Sequence, residues 1–123
     1  MIVRAFLPSD IPTRDGWLTA RGLHRPMSRV PAVAFIVEGV ACGFLVQTDH
    51  DFAVLDDVVT NVVAAAVDRH AALDGILDAI ESKARSLGIQ NIIVNASDPS
   101  IVARCHARRM IEHVGVRHFI RKI

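Results

Sequence analysis

The sequence is short of most features that announce a function outright. Its 123 residues carry 14 Lys and Arg against 13 Asp and Glu, a net charge of +1. That balance supplies no global attraction for nucleic acid or an anionic membrane surface, so neither is expected as a partner. No apolar run approaches the roughly 18 residues that a membrane-spanning helix needs. The N-terminus, MIVRAFLPSD, has neither the long apolar stretch nor the small-residue cleavage site of a secretory signal, so a cytoplasmic location is expected. Cysteine is scarce. Cys42 and Cys105 both lie in apolar surroundings and read as buried free thiols of a reducing compartment. His106, His113 and His118 match no metal-ligand spacing, and no metal is expected. Repeats, linkers and low-complexity segments are absent.

What is present is a core-forming chain. Hydrophobic residues make up 51% and charged residues 22%, the composition of a globular protein long enough to bury a core without staples. One domain over residues 1–123 is expected. The most organised stretch is Phe52 to Gly88. It reads as an apolar strand running to about Val63, a loop without glycine, and a long amphipathic helix. Leu73, Ile76, Leu77, Ile80, Ala84 and Leu87 follow the i, i+3, i+4, i+7 spacing of one helical face. Asp68 stands where an N-cap is expected and Gly88 where a left-handed C-terminal residue is expected. A second apolar run, Ile89 to Asn95, follows at once. Strand, helix and strand at this spacing predict a right-handed βαβ unit with parallel strands.

The remaining chain fits around that unit. Ile2 to Phe6 predicts a short strand. Ser9 or Asp10 can cap a helix with Pro12 in its first turn, running to about Arg21 with Ile11, Trp17 and Leu18 inward and Gly22 as its stop. Residues 23–30 read as a loop. Ala32 to Glu38 and Val40 to Thr48 predict a hairpin turning at Gly39. Ser97-Asp98-Pro99 predicts the start of a helix to about Arg109 that buries Ile101, Val102 and Cys105. Ile111 to Val114 and Val116 to Ile123 predict a last hairpin turning at Gly115. The fold class expected is α+β: one domain with a mixed, mostly antiparallel sheet and helices on both faces.

This order and several local runs resemble the GNAT superfamily of acyl-CoA-dependent N-acyltransferases. VEGVACGFLV is similar to that family's second and third strands. LDGILDAIESKARSLGI is similar to its central helix, and SIVARCHARRMIEHVG to its C-terminal run. The resemblance covers nearly the whole chain and is closest to small GNAT-like proteins encoded by phages and prophages. It departs from the family at one motif. Counting back from Gly88, the family's Arg/Gln-x-x-Gly-x-Gly/Ala falls on Asp68, Ala71 and Leu73. Glycines there let backbone N–H groups approach a diphosphate at a helix N-terminus. The carboxylate of Asp68 would occupy those donors and repel phosphate, an effect that Arg69 would offset by one charge. The motif is degenerate.

The resemblance implies acetyl-CoA as cofactor and a primary amine, on a small molecule or a protein, as acceptor. Its cofactor-binding positions are Val58, Val59, Thr60 and Asn61, whose strand amides would pair with the pantetheine arm, and Arg69, His70 and Ala71 at the helix start. His106 occupies the place of the family's usual tyrosine acid and would return a proton to the leaving thiolate. Asp56 and Asp57 are the base candidates. Two acids in an apolar strand place one on the core-facing side by alternation, unless an irregularity lets both reach water. Arg104, Arg108 and Arg109 make the last third basic, either to attract phosphates or simply as a solvated face. The alternative is a catalytically degenerate GNAT-fold protein that binds a protein partner or self-associates as a homodimer. The apolar run Val62 to Val67 would serve such a contact.

Overall fold

The computed structural model describes residues 1–95, 99–113, 119, 121 and 122, without the side chain of Asp57. Five strands form one sheet in sequence order. They are β1 (Arg4–Ala5), β2 (Val33–Val37), β3 (Ala41–Gln47), β4 (Phe52–Thr60) and β5 (Asn91–Val94). The first four pair antiparallel, and β5 lies parallel to β4. A single 3₁₀ turn (Pro8–Asp10) leads into α1 (Ile11–Ala20); α2 (Ala66–Ser86) joins β4 to β5, and α3 (Pro99–Ala107) follows β5. The hairpin turns at Gly39 as expected, with φ +73°, a conformation that glycine adopts without a Cβ penalty. The β1 strand is shorter than Ile2 to Phe6, and β4 ends at Thr60 rather than near Val63. The Ser97-Asp98 helix start lies outside the described residues, and so does most of the expected last hairpin.

Each face of the sheet carries its own core. On one face α2 lays Ala72, Ile76, Ile80 and Ala84 over Val33, Val37, Ala41, Leu45 and Ala53. On the other face α1 lays Trp17 and Leu18 over Ala34, Ile36, Cys42, Phe44 and Val59, with Phe6 meeting Phe44 edge-on at 4.9 Å. The helical stripe of α2 is the one its periodicity predicts, except that Leu87 is exposed and Ala72 is buried. At its end Gly88 takes φ +74°, the Gly88 amide donates to Arg85 O, and the Ile89 amide donates to Ala84 O. That pair of bonds is the Schellman closure that a glycine at this position makes cheap.

The N-cap expectation is corrected. The N-cap of α2 is Ala65, and Asp68 is the third helical residue, making no side-chain cap bond. The start lies earlier because the turn before it is held by other groups. Asn61 donates its side-chain amide to Gly39 O at 2.9 Å, and its Oδ1 accepts from the Val63 amide at 3.2 Å. Arg69 reaches back to donate to Val62 O and Ala64 O. With the chain oriented this way, the alanines 64–66 propagate a helix at little cost.

Burial of Arg14 is a second departure. It is 2% exposed, donating to the Asp15 carboxylate and to Arg25 O. Asp15 also accepts from the Met27 amide. The dyad thus fastens the loop after α1 against the α1 face of the sheet.

Candidate functional site

The two halves of the sheet separate at β4. Its register with β5 runs from Phe52–Asn91 to Leu55–Val94 and stops there. From Asp56 onward β4 keeps β3 on one side, and among the described residues it has no β5 pairing on the other. The same point carries a bulge. Between Cys42–Val59 and Phe44–Asp56, one residue of β3, Gly43, faces two of β4, Asp57 and Val58. An extra residue reverses the inside–outside alternation. Leu55 therefore packs on the α2 side, while Val59, four residues on, packs on the α1 side. The paired acids mark an irregularity, and Asp56 is exposed.

A cavity of about 340 Å³ opens where the strands part. Val54, Leu55 and Val58 of β4, Ile92 and Val94 of β5, and Leu73, Leu77 and Ile80 of α2 give it an apolar wall. Ile101 and Cys105 of α3 close it from above, and Asp56, Asn95 and Arg25 place polar groups at it. Arg25 is there because the buried Arg14 holds its carbonyl. Sequence reasoning missed Arg14. Its signal was available: position 14 lies three and four residues before Trp17 and Leu18, on the same inward stripe.

Side chains of α3 reach across to α2 through charge. Arg104 donates to Asp74 Oδ1 at 2.7 Å and meets His70 Nδ1 at 2.8 Å. Arg108 donates to Asp78 at 2.7 Å and to Glu81 at 3.1 Å. Burial works against the charge of Arg108, but these hydrogen bonds outweigh it and raise its pKa further. No described residue of α3 is fully buried, and Ile101, Val102 and Cys105 are half-buried rather than core. The helix is thus seated by ion pairs above an apolar cavity. Two members of the basic cluster face carboxylates of their own chain.

The predicted site residues fall into three groups. Asp56 and Val58 line the cavity, and Val59, Thr60 and Asn61 continue the β4 edge beyond it, Val59 itself pointing into the α1-side core. Thr60 is covered by Arg21, which donates to its carbonyl at 3.3 Å. Arg69, His70 and Ala71 lie in the first turns of α2. Arg69 is turned back onto the loop, His70 is bonded to Arg104, and Ala71 is inside the helix rather than in a phosphate loop. His106 points away from the cavity, 3.5 Å from Glu112, whereas its neighbour Cys105 lines the wall. The side chain of Asp57 lies outside the described residues.

CoA fits one half of this arrangement. The apolar channel along β4 suits a pantetheine arm, whose amides can pair with an open strand edge. The diphosphate half does not fit. Asp68 puts a carboxylate in the first turn of α2, Arg69 is engaged with two loop carbonyls, and the loop 61–65 contains no glycine.

Comparison with known proteins adds the fold. No family model and no curated protein matches the chain. Solved structures do. A Thermus thermophilus protein matches with TM-score 0.70 at 16% identity, over 100% of this chain and 98% of that one. The ribosomal-protein-S18-alanine N-acetyltransferase of Escherichia coli matches with TM-score 0.62 at 16% identity, over 87% of this chain and 75% of that one. A Mycobacterium tuberculosis protein solved in complex with CoA matches with TM-score 0.60 at 18% identity, over 86% of this chain and 70% of that one. The α+β architecture expected from the sequence is therefore the one observed, and it is shared with an N-acetyltransferase and a CoA-binding protein.

Proposed function

We propose that the protein is an N-acyltransferase that moves an acetyl group from a coenzyme A-type thioester to a primary amine of a small molecule or a protein. The observation that carries this reading is the end of the described β4–β5 pairing at Leu55 and Val94, beside a cavity with a largely apolar wall and Asp56 in its lining. The likeness to an N-acetyltransferase and to a CoA complex supports it at the level of fold. The thioester supplies an activated acyl carbon. Residues of β4 position it, with the strand edge at Val58 pairing along the arm; Arg21 already holds the Thr60 carbonyl, and the Asn61 amide already donates to Val40 O. Asp56 accepts the proton that the amine loses as its nitrogen bonds to the acyl carbon and the carbon–sulfur bond breaks. The sulfur leaves as thiolate and takes up a proton from water or from the Cys105 thiol. His106, one residue further on, would need α3 to turn before it could serve as that acid.

Thermal unfolding with acetyl-CoA tests the reading. A ligand present at about 100 times its Kd adds about 2.7 kcal/mol of stability. Acetyl transfer to an amine panel should accompany the shift, and Asp56→Asn should lower kcat by about a hundredfold or more, the range for loss of a positioned base. No shift and no transfer would refute it. One observation favours a second reading, a non-catalytic protein that binds a partner or itself. Val63, in the loop before α2, and Val67, in its first turn, are 85% and 74% exposed. A dimer in solution that Val67→Asp dissociates, from a protein without transferase activity, would support it.

A further inference from the structure

Resting on the acyltransferase reading, we infer that the donor is recognised through its pantetheine thioester alone, and that a nucleotide diphosphate attached to that arm contributes no binding. Among the described residues, three groups that could receive a diphosphate are turned to another use, and a fourth stands beside like charge. The Val63 amide donates to Asn61 Oδ1 and the Ala64 amide to Asn61 O, so these loop donors are already taken. Arg69, the cation nearest the loop, donates to Val62 O at 3.1 Å and Ala64 O at 2.9 Å. Arg104 and Arg108, the cations of α3 on the cavity wall, are bonded to Asp74, Asp78 and Glu81. The first-turn amides of α2 have no side-chain cap, but that turn carries the exposed carboxylate of Asp68.

Like charge at that helix end cancels the attraction its dipole would give an anion. The surface beside it is apolar, with Val63 and Val67 in water. Val54, Leu55, Val58, Ile92 and Val94 give the cavity an apolar wall, which suits an uncharged arm. The chain has thus kept the half of the site that reads the thioester and its arm. The donor class is an acyl pantetheine thioester, either free or carried on a protein whose own body replaces the nucleotide.

The test compares acetyl-CoA with S-acetyl-pantetheine on the intact protein, by titration calorimetry and by initial rates with one amine. Affinities within about threefold of each other, and nearly insensitive to salt, are expected, since a used diphosphate would add charge-assisted bonds. Asp68→Asn should leave the acetyl-pantetheine Kd unchanged. An acetyl-CoA Kd lower than that of acetyl-pantetheine by about tenfold or more would overturn the inference and leave the acyltransferase reading standing. Failure of both thioesters to bind or react would overturn the acyltransferase reading and this inference with it. An acetylated pantetheinyl carrier protein forms the third arm. Faster turnover with it than with acetyl-pantetheine assigns the carried form of the donor, and equal or slower turnover assigns the free form.

Discussion

Gly43 is a position where α2 and the sheet touch closely, and adding one methyl there measures that contact. A Cβ on Gly43 would stand 2.9 Å from Ile76 Cγ2, 3.5 Å from Ile80 Cδ1 and 3.7 Å from Val58 Cγ2. Ile76 and Ile80 are fully buried, and the Ile76 methyl is a β-branch with little freedom to swing aside. Overpacking of this kind costs about 1–3 kcal/mol. Replacing glycine in a strand returns about 0.5–1 kcal/mol through the unfolded chain. Gly43→Ala should therefore lose about 1–2 kcal/mol net, a fall in Tm of roughly 3–10 °C for a domain of this size. Ile76→Leu removes the Cγ2 branch at constant volume and should cost less than about 1.5 kcal/mol alone. In the double variant the two losses should sum to less than their separate values, because the clash has gone. Calorimetric melting of the four proteins completes the cycle. A Gly43→Ala protein as stable as the parent, or strictly additive losses, would refute the seating of α2 on β3 described here.

Two further outcomes follow from ionic contacts. Asp10 bonds Arg4 at 2.8 and 2.9 Å and accepts from the Leu7 amide, and the Arg4 hydrogen bond chiefly holds its carboxyl below the usual range. A depressed folded pKa contributes stability above the unfolded value and loses it as pH falls through the folded one. Asp10→Asn should thus cost about 1–3 kcal/mol at neutral pH. In urea titrations the gap from the parent should begin to shrink below about pH 4, where unfolded carboxyls protonate, and go on shrinking as pH falls through the lower folded value; a gap that stays constant in strong acid would contradict the pairing. Asp68→Ala should change stability by less than about 1 kcal/mol, because a third helical position offers only the dipole interaction. A loss near 2 kcal/mol would restore it as the cap.

The candidate site was legible in part. The β4 edge from Asp56 to Asn61 follows from the βαβ order, since the strand that leads into the helix must border the strand that follows it. Paired acids in an apolar strand signalled the bulge, because two polar residues in succession break a period of two. The placement of His106 was not legible. Position along a helix does not say which neighbour the helix leans on, and α3 is seated by Arg104 and Arg108 reaching acids about thirty residues earlier. The start of α2 was misread at Asp68 because a good capping residue outweighs three alanines on local preference. Asn61 and Arg69 reversed that preference through bonds to Gly39 and to the loop carbonyls.

By itself the sequence determined what depends on short spacing. That includes the hairpin at Gly39, the inward stripe of α2, its closure at Gly88, and the parallel return of β5. The first three are set by residues within a turn or two of one another, and the last by the right-handed return of a strand–helix–strand unit, where backbone geometry and periodic burial leave few alternatives. Only the tertiary structure decided what depends on distant partners meeting: the burial of Arg14 under the Arg25 carbonyl, the ion pairs that seat α3 on α2, and the turning of Arg69 away from any phosphate. Charged side chains carry no directional preference of their own in water, and the fold chooses their partners by bringing one set of opposite charges and carbonyls within reach.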